Sequence, residues 1–236
     1  MTGWNGQEHH WLSFGERKTC LCYAWRPDRV VQILGQYPIL PREETVRIAQ
    51  MMRTKHPPGV ITVDFMLKIR RPNGETYYVA RDVKEMKELA KRSVLEKLSI
   101  ALVAMELRRI EWGLVVSDSK DFPEAEWENV DWAFKAHEVK VALALQPDRV
   151  WEIAKKLTAD IAAAKPPVIL RNICSSSDRE FELGPGTSMK IARFLVANKA
   201  WSFDMSRLIC TSKPMEINIE KFEATMELLW GRLRSA

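Results

Sequence analysis

Asp64, Asp82 and Lys84 are the residues of this chain best suited to do chemistry. Carboxylates are hard oxygen donors that suit a divalent cation such as Mg²⁺. An ammonium beside them can touch an attacking water or a phosphate. The chemistry open to such a set is hydrolysis of a phosphodiester. An Asp-x-Lys triplet is short, and exposed strand ends commonly carry Asp and Lys, so Asp82-Val83-Lys84 alone leaves a plain surface reading open. A second acid, Asp64, on a preceding strand gives the triplet more weight.

The elements that must position these groups are legible as a hairpin. Two extended segments, 60–70 (VITVDFMLKIR) and 76–84 (TYYVARDVK), flank RRPNGE, whose Asn73-Gly74 pair is a strong turn signal. Side chains alternate along a strand, so Tyr77, Val79, Arg81 and Val83 share one face, and Tyr78, Ala80, Asp82 and Lys84 the other. A helix is expected after Pro41 (REETVRIAQMM). Another opens at a capping-box pattern, Ser93-Val94-Leu95-Glu96, with Leu98, Ala101, Leu102 and Met105 as its apolar stripe. Residues 112–116 (WGLVV) read as a buried strand. A helical crossover returns the chain parallel to the strand it left, so the expectation is an α/β domain with a mixed sheet and flanking helices.

Residues 117–131 are polar and acidic and read as the exit from a first domain spanning 1–136, with a helix over 127–137 bridging onward. A second domain, 139–236, begins with a helix near Pro147 that carries Val150, Ile153, Ala154, Leu157 and Ile161 on one face. A further helix follows Gly184-Pro185-Gly186. Alternation of Trp201, Phe203 and Met205 with Ser202, Asp204 and Ser206 predicts a strand. Helices followed by a short strand and hairpin give the outline of a winged helix. Lys190 and Arg193 share one helix and suit either phosphate or plain solvent exposure. A last helix over 221–233 has an apolar side of Phe222, Met226, Leu229, Trp230 and Leu233.

The chain has 236 residues and a net charge of +5, with a pI near 9.0. The excess fits nucleic-acid binding without establishing it. From Arg53 to Lys97 there are eleven Lys or Arg against six Asp or Glu, so positive charge surrounds the candidate site. No apolar run is long enough for a membrane span, and the first residues lack the pattern of a secretory signal. Cys20, Cys22, Cys174 and Cys210 do not make zinc-ribbon pairs, even with His9-His10 nearby, and read as free thiols of a cytoplasmic protein.

Several short segments in one order resemble the TnsA family, the endonuclease subunits of heteromeric transposases: QYPILP (36–41), KHP (55–57), VDF (63–65), DVK (82–84), VLEKL (94–98) and IEWGLVV (110–116). The similarity extends through EFELGPG and LVANKAW into the second half. The resemblance implies a restriction-endonuclease-like first domain and a winged-helix-like second one. It places the catalytic Asp on Asp64 and the catalytic Lys on Lys84. The family has Gln two residues before that lysine, where this chain has Asp82, which moves toward the acid-x-Lys pattern of the wider nuclease superfamily. The family's catalytic Glu falls on Glu16, although Gly15 and Thr19 are poor helix formers around it. Glu16, Asp64, Asp82 and the Val83 carbonyl would then hold Mg²⁺, with Mn²⁺ as a substitute.

The resemblance further implies cleavage at the 5′ ends of a mobile element. The partners would be double-stranded transposon-end DNA, a TnsB-like transposase and a TnsC-like ATPase regulator, meeting at the nucleoid in a prokaryotic cytoplasm. A catalytically degraded assembly subunit and a stand-alone restriction-like nuclease share these residues.

Overall fold

The computed structural model describes residues 11–26, 28–55, 59–136, 145–165 and 167–234, with side chains up to residue 229. His9-His10, His56-Pro57 of the KHP motif, His137 and the start of the expected second domain at 139 lie outside these residues, as do the side chains of Trp230 and Leu233. The chain divides into two compact units, 1–123 and 124–236.

The first unit opens with α1 (Phe14–Ala24), followed by β1 (Val30–Pro38) and α2 (Arg42–Met51). The hairpin β2 (Thr62–Arg70) and β3 (Thr76–Lys84) comes next, then α3 (Met86–Leu89), α4 (Arg92–Leu107) and β4 (Glu111–Val116). The sheet order is β1-β2-β3-β4. The first two pairings are antiparallel, and β4 runs parallel to β3, as the α4 crossover requires.

The hairpin closes through Pro72-Asn73-Gly74. Gly74 donates to the Arg71 carbonyl and Arg71 to the Glu75 carbonyl. Gly74 sits at φ 88°, the left-handed position that a three-residue hairpin loop assigns to glycine. The register then pairs Phe65 with Arg81, and one step further places Asp64 opposite Asp82.

Each face of the sheet carries a core. One gathers Cys20 and Ala24 of α1 with Ile33, Phe65, Leu67, Val79 and Val83. The other gathers Ile48 and Ala49 of α2, Ile100, Ala101, Ala104 and Met105 of α4, and Val63, Met66 and Ala80 of the sheet. Val79 and Val83 on one side and Ala80 on the other follow the expected alternation. A sheet buried on both faces accounts for the apolar run in β2.

Three expectations for this unit change. The helix after the hairpin starts at Arg92 with Lys91 as N-cap and no side-chain cap bond, so Ser93–Glu96 is not a capping box. The capping box lies one helix earlier, between Glu85 and Glu88 of the α3 turn. Leu102 leaves the expected stripe and is 45% exposed, because Ile100 and Ala104 take the core positions around it. The strand over 111–116 is an edge strand of mixed exposure and not a buried one. The N-terminal helix α1 and the strand β1 complete the layers.

The second unit contains α5 (Glu124–Phe134), α6 (Pro147–Ala164), β5 (Val168–Ile169), α7 (Leu170–Glu180), α8 (Thr187–Ala197), β6 (Pro214–Met215) and α9 (Phe222–Arg234). The helix expected to bridge onward over 127–137 lies in this unit as α5, and the compact units divide at 123/124, where the sequence predicts domains of 1–136 and 139–236. Val150, Ile153, Ala154, Leu157 and Ile161 of α6 are all buried, as the sequence predicts. So are Phe222, Met226 and Leu229 of α9. Residues 201–206 form no strand beyond a single bridge from Ser202 to Asn218. Asp204 instead accepts from the Ser206 N–H and hydroxyl and turns the chain on itself. Arg193 donates Nε and Nη2 to the Trp132 carbonyl (3.1 and 2.6 Å) and lies over the Trp132 ring. It fastens α8 to α5, so the pairing of Lys190 and Arg193 is not a free phosphate clamp.

Candidate active site

The hairpin register brings Asp64, Asp82 and Lys84 to one end of the sheet. Asp64 is buried, and its Oδ2 accepts from Lys84 Nζ (2.8 Å) and from the Val83 N–H (2.7 Å). Lys84 Nζ also donates to the Val83 carbonyl (2.7 Å). That carbonyl, expected as a metal ligand, is thus engaged by the lysine. Burial alone would lower the pKa of Lys84. The Asp64 charge and hydrogen bond, with Asp82 and Glu88, outweigh it and leave the pKa raised. Lys84 is an ammonium at neutral pH.

Asp82 is fully buried. Its Oδ2 accepts from the Trp112 indole N–H (2.8 Å), and its Oδ1 has no partner among the described residues. Burial, followed by the neighbouring Asp64 charge, pushes its pKa from 3.8 up to about 6, against the lowering pull of Trp112, Lys84 and Lys97. An unsatisfied buried carboxylate oxygen is costly and calls for a ligand or a function.

Glu16 arrives from the other face of the sheet. Helix α1 forms despite Gly15 and Thr19. Ser13 is its N-cap and accepts from the Glu16 N–H (3.1 Å), and the helix packs its apolar side on the sheet. Glycine at position 15 is a packing requirement: a Cβ there would lie 2.4 Å from Ser117 Oγ. The Glu16 carboxylate accepts from the Leu12 N–H (3.1 Å) and the Ser13 hydroxyl (3.3 Å). Among the described residues it reaches Asp64 through Gln36, whose Nε2 lies 3.2 Å from Glu16 Oε2 and 3.4 Å from Asp64 Oδ1. Gln36 was visible in the sequence as the first letter of QYPILP, with nothing to mark it as part of the site.

Asp64 and Asp82 fit a hard divalent cation by donor chemistry, and among the described residues no protein donor competes for the unpartnered Asp82 oxygen. Among the described residues, no group of three His, Cys, Asp or Glu side chains stands close enough to hold a metal ion. Glu16 therefore does not converge with the two aspartates as a third ligand in this arrangement.

A model of the TnsA-like endonuclease N terminal matches residues 27–117. One of the TnsA endonuclease C terminal matches residues 121–205. The chain belongs to the TnsA endonuclease family. The mixed sheet with its flanking helices is consistent with the restriction-endonuclease-like fold of TnsA-like domains. The N-terminal match contains Gln36, Asp64, Asp82 and Lys84 of this TnsA-like chain, whereas Glu16 precedes it. No curated protein matches the chain. Among the described residues no helix is long and apolar enough to cross a membrane.

Proposed function

We propose that this TnsA-like chain is the divalent-cation-dependent endonuclease subunit of a heteromeric transposase and cuts the 5′ ends of a mobile element. The observation that carries the reading is the Asp64–Lys84 ion pair beside a buried Asp82 with one oxygen unpartnered. Both aspartates lie within the N-terminal endonuclease match. Asp64 and Asp82 would hold Mg²⁺ or Mn²⁺, and the bound cation would supply charge stabilisation at the phosphoryl oxygens and a more acidic water.

The chain's own residues do the rest. Lys84 keeps its proton under the Asp64 charge, which suits it to neutralise a phosphate oxygen or steady a leaving group more than to act as base. The Val83 N–H fixes the Asp64 carboxylate, and the Trp112 indole fixes that of Asp82. The hairpin's basic residues add a field that favours duplex DNA.

The second unit, read as winged-helix-like from its order of helix, short strand, two helices and short strand, would serve docking of DNA or partners. A TnsB-like transposase and a TnsC-like ATPase are the partners that fit a TnsA-like subunit.

The test is cleavage of transposon-end duplexes by purified protein with these partners and Mg²⁺ or Mn²⁺. Asp64→Ala and Lys84→Ala should lose cleavage. Asp64→Asn keeps an acceptor for the Val83 N–H and serves as the folded control. Normal cleavage by these variants would remove the site. Cutting by the chain alone would point to a self-sufficient nuclease. An assembly subunit without catalysis is the second reading, and it draws on Glu16, whose oxygens serve the entry to α1.

A further inference from the structure

Gln36 holds an unusual place for a strand residue. It lies inside β1, yet its φ is 48°, in the left-handed region that costs an ordinary side chain about 1 kcal/mol or more. The side-chain alternation slips there. Ile33 packs on the α1 face and Leu34 on the α2–α4 face, but Tyr37, three residues on, is again on the α2–α4 face. The neighbouring strand slips at the matching point. Phe65 faces α1, while Met66 and Val63 both face α2 and α4. The register pairs Gly35 with Phe65 and Tyr37 with Val63, so Gln36 and Asp64 stand at the two slips together.

The side chain uses this position fully. Its Oε1 accepts from the Thr62 hydroxyl (3.3 Å), which leaves Nε2 toward Glu16 and Asp64. Ionised carboxylates only accept, so the amide must present its N–H groups to them. Two carboxylates cannot bond each other. A neutral amide with two N–H groups joins them without bringing a charge that would compete with a cation.

We propose that Gln36 is a positioning residue that clamps Glu16, from the helix on one face of the sheet, to Asp64 on the hairpin. The clamp sets their approach before a cation arrives. Its catalytic meaning rests on the nuclease reading above, whereas the clamp itself does not.

The experiment is a double-mutant cycle on the full chain with Gln36→Gly, Glu16→Ala and both, read by thermal unfolding in chelator and in saturating Mn²⁺. Glycine accepts the left-handed φ, so this variant removes the amide and keeps the backbone. In chelator the two substitutions should be non-additive, by roughly 2–4 °C in Tm. Gln36→Gly should also lose at least half of the Mn²⁺-induced rise in Tm, and the concentration of Mn²⁺ giving half-maximal cleavage should rise about ten-fold, a shift of about 1.4 kcal/mol. Gln36→Asn tolerates the backbone but carries its amide one methylene short, and should behave like the glycine variant.

Additive effects in chelator would overturn the clamp, as would an asparagine variant equal to wild type. Coupling in chelator with no Mn²⁺ response in the wild-type protein would uphold the clamp and remove the cation-dependent nuclease reading instead.

Discussion

Asp82 in the first unit and Asp178 in the second are both buried carboxylates, and their oxygens are treated very differently. Asp178 accepts from the Gly186 N–H with one oxygen and the Ser188 N–H with the other, each at 2.7 Å. It closes the N-terminal end of α8 and joins that end to α7, where its side chain replaces backbone partners the first turn lacks. Asp82 receives one indole N–H and nothing on its other oxygen, and it faces a second acid. The first arrangement spends a charge on holding the fold. The second leaves one oxygen unpartnered beside another acid, which costs the fold stability. One side-chain type thus closes a helix end in the second unit and leaves an oxygen open in the first.

The comparison can be broken at several points. The largest effect is expected at Asp64, beside Asp82: Asp64→Ala should cut DNA cleavage by about 10²–10⁴-fold, the range typical for loss of one catalytic group. A gel assay of end cleavage reads it, with circular dichroism confirming the fold, since Lys84 loses its ion-pair partner. Next, Asp178→Ala should destabilise the chain by about 2–3 kcal/mol, because the buried Ser188 N–H and the half-buried Gly186 N–H lose their acceptor. Denaturant titration checks this, and the response to Mn²⁺ should stay as in wild type. If Asp178→Ala abolished the Mn²⁺ response, the contrast between the two aspartates would fail.

Asp82→Asn should move stability the other way. The folded protein holds the Asp82 proton up to about 6, against an ordinary value of 3.8. Its contribution is therefore fully present at low pH and is lost as pH rises through that window, up to about 3 kcal/mol in total. Asparagine carries no charge to bury and can donate toward Asp64. The variant should exceed wild type by about 1–2 kcal/mol at neutral pH, and the gap should close as pH falls toward 4. Urea unfolding at a series of pH values measures it. The smallest change is Gly15→Ala. Helix propensity favours alanine by about 1 kcal/mol, but the contact with Ser117 should turn the net effect into a loss of about 1–2 kcal/mol.

Legibility in the sequence followed local physics. The hairpin was readable because alternation, β-branched residues and Asn73-Gly74 agree, and with it came Asp64, Asp82 and Lys84. The parallel return of β4 followed from the crossover. Strand β1 was hidden because its alternation breaks at Gln36 and its end is a proline. Helix α1 was obscured by Gly15 and Thr19, whose low propensity is overridden by packing on the sheet and the Ser13 cap. Helix α7 carries Ser175, Ser176, Ser177 and Asp178, residues that favour turns, and forms because Cys174 and Ser177 are small enough to bury. The alternating residues 201–206 misled because Asp204 offers the backbone a local turn. Gln36 could not be found by residue type, since its role depends on a backbone angle.

The three-residue loop at Pro72-Asn73-Gly74 sits at the far end of the hairpin from the acids, and still it decides where they look. Pairing counts outward from that loop, so one residue inserted into β3 ahead of Asp82 would swing the carboxylate across to the layer occupied by α1. Two inserted residues would restore its side but shift it along the strand by about 7 Å, away from Asp64. Length changes beyond the turn are free of this arithmetic, so natural variation in this chain should accumulate at the tip and be purged from the strands behind it.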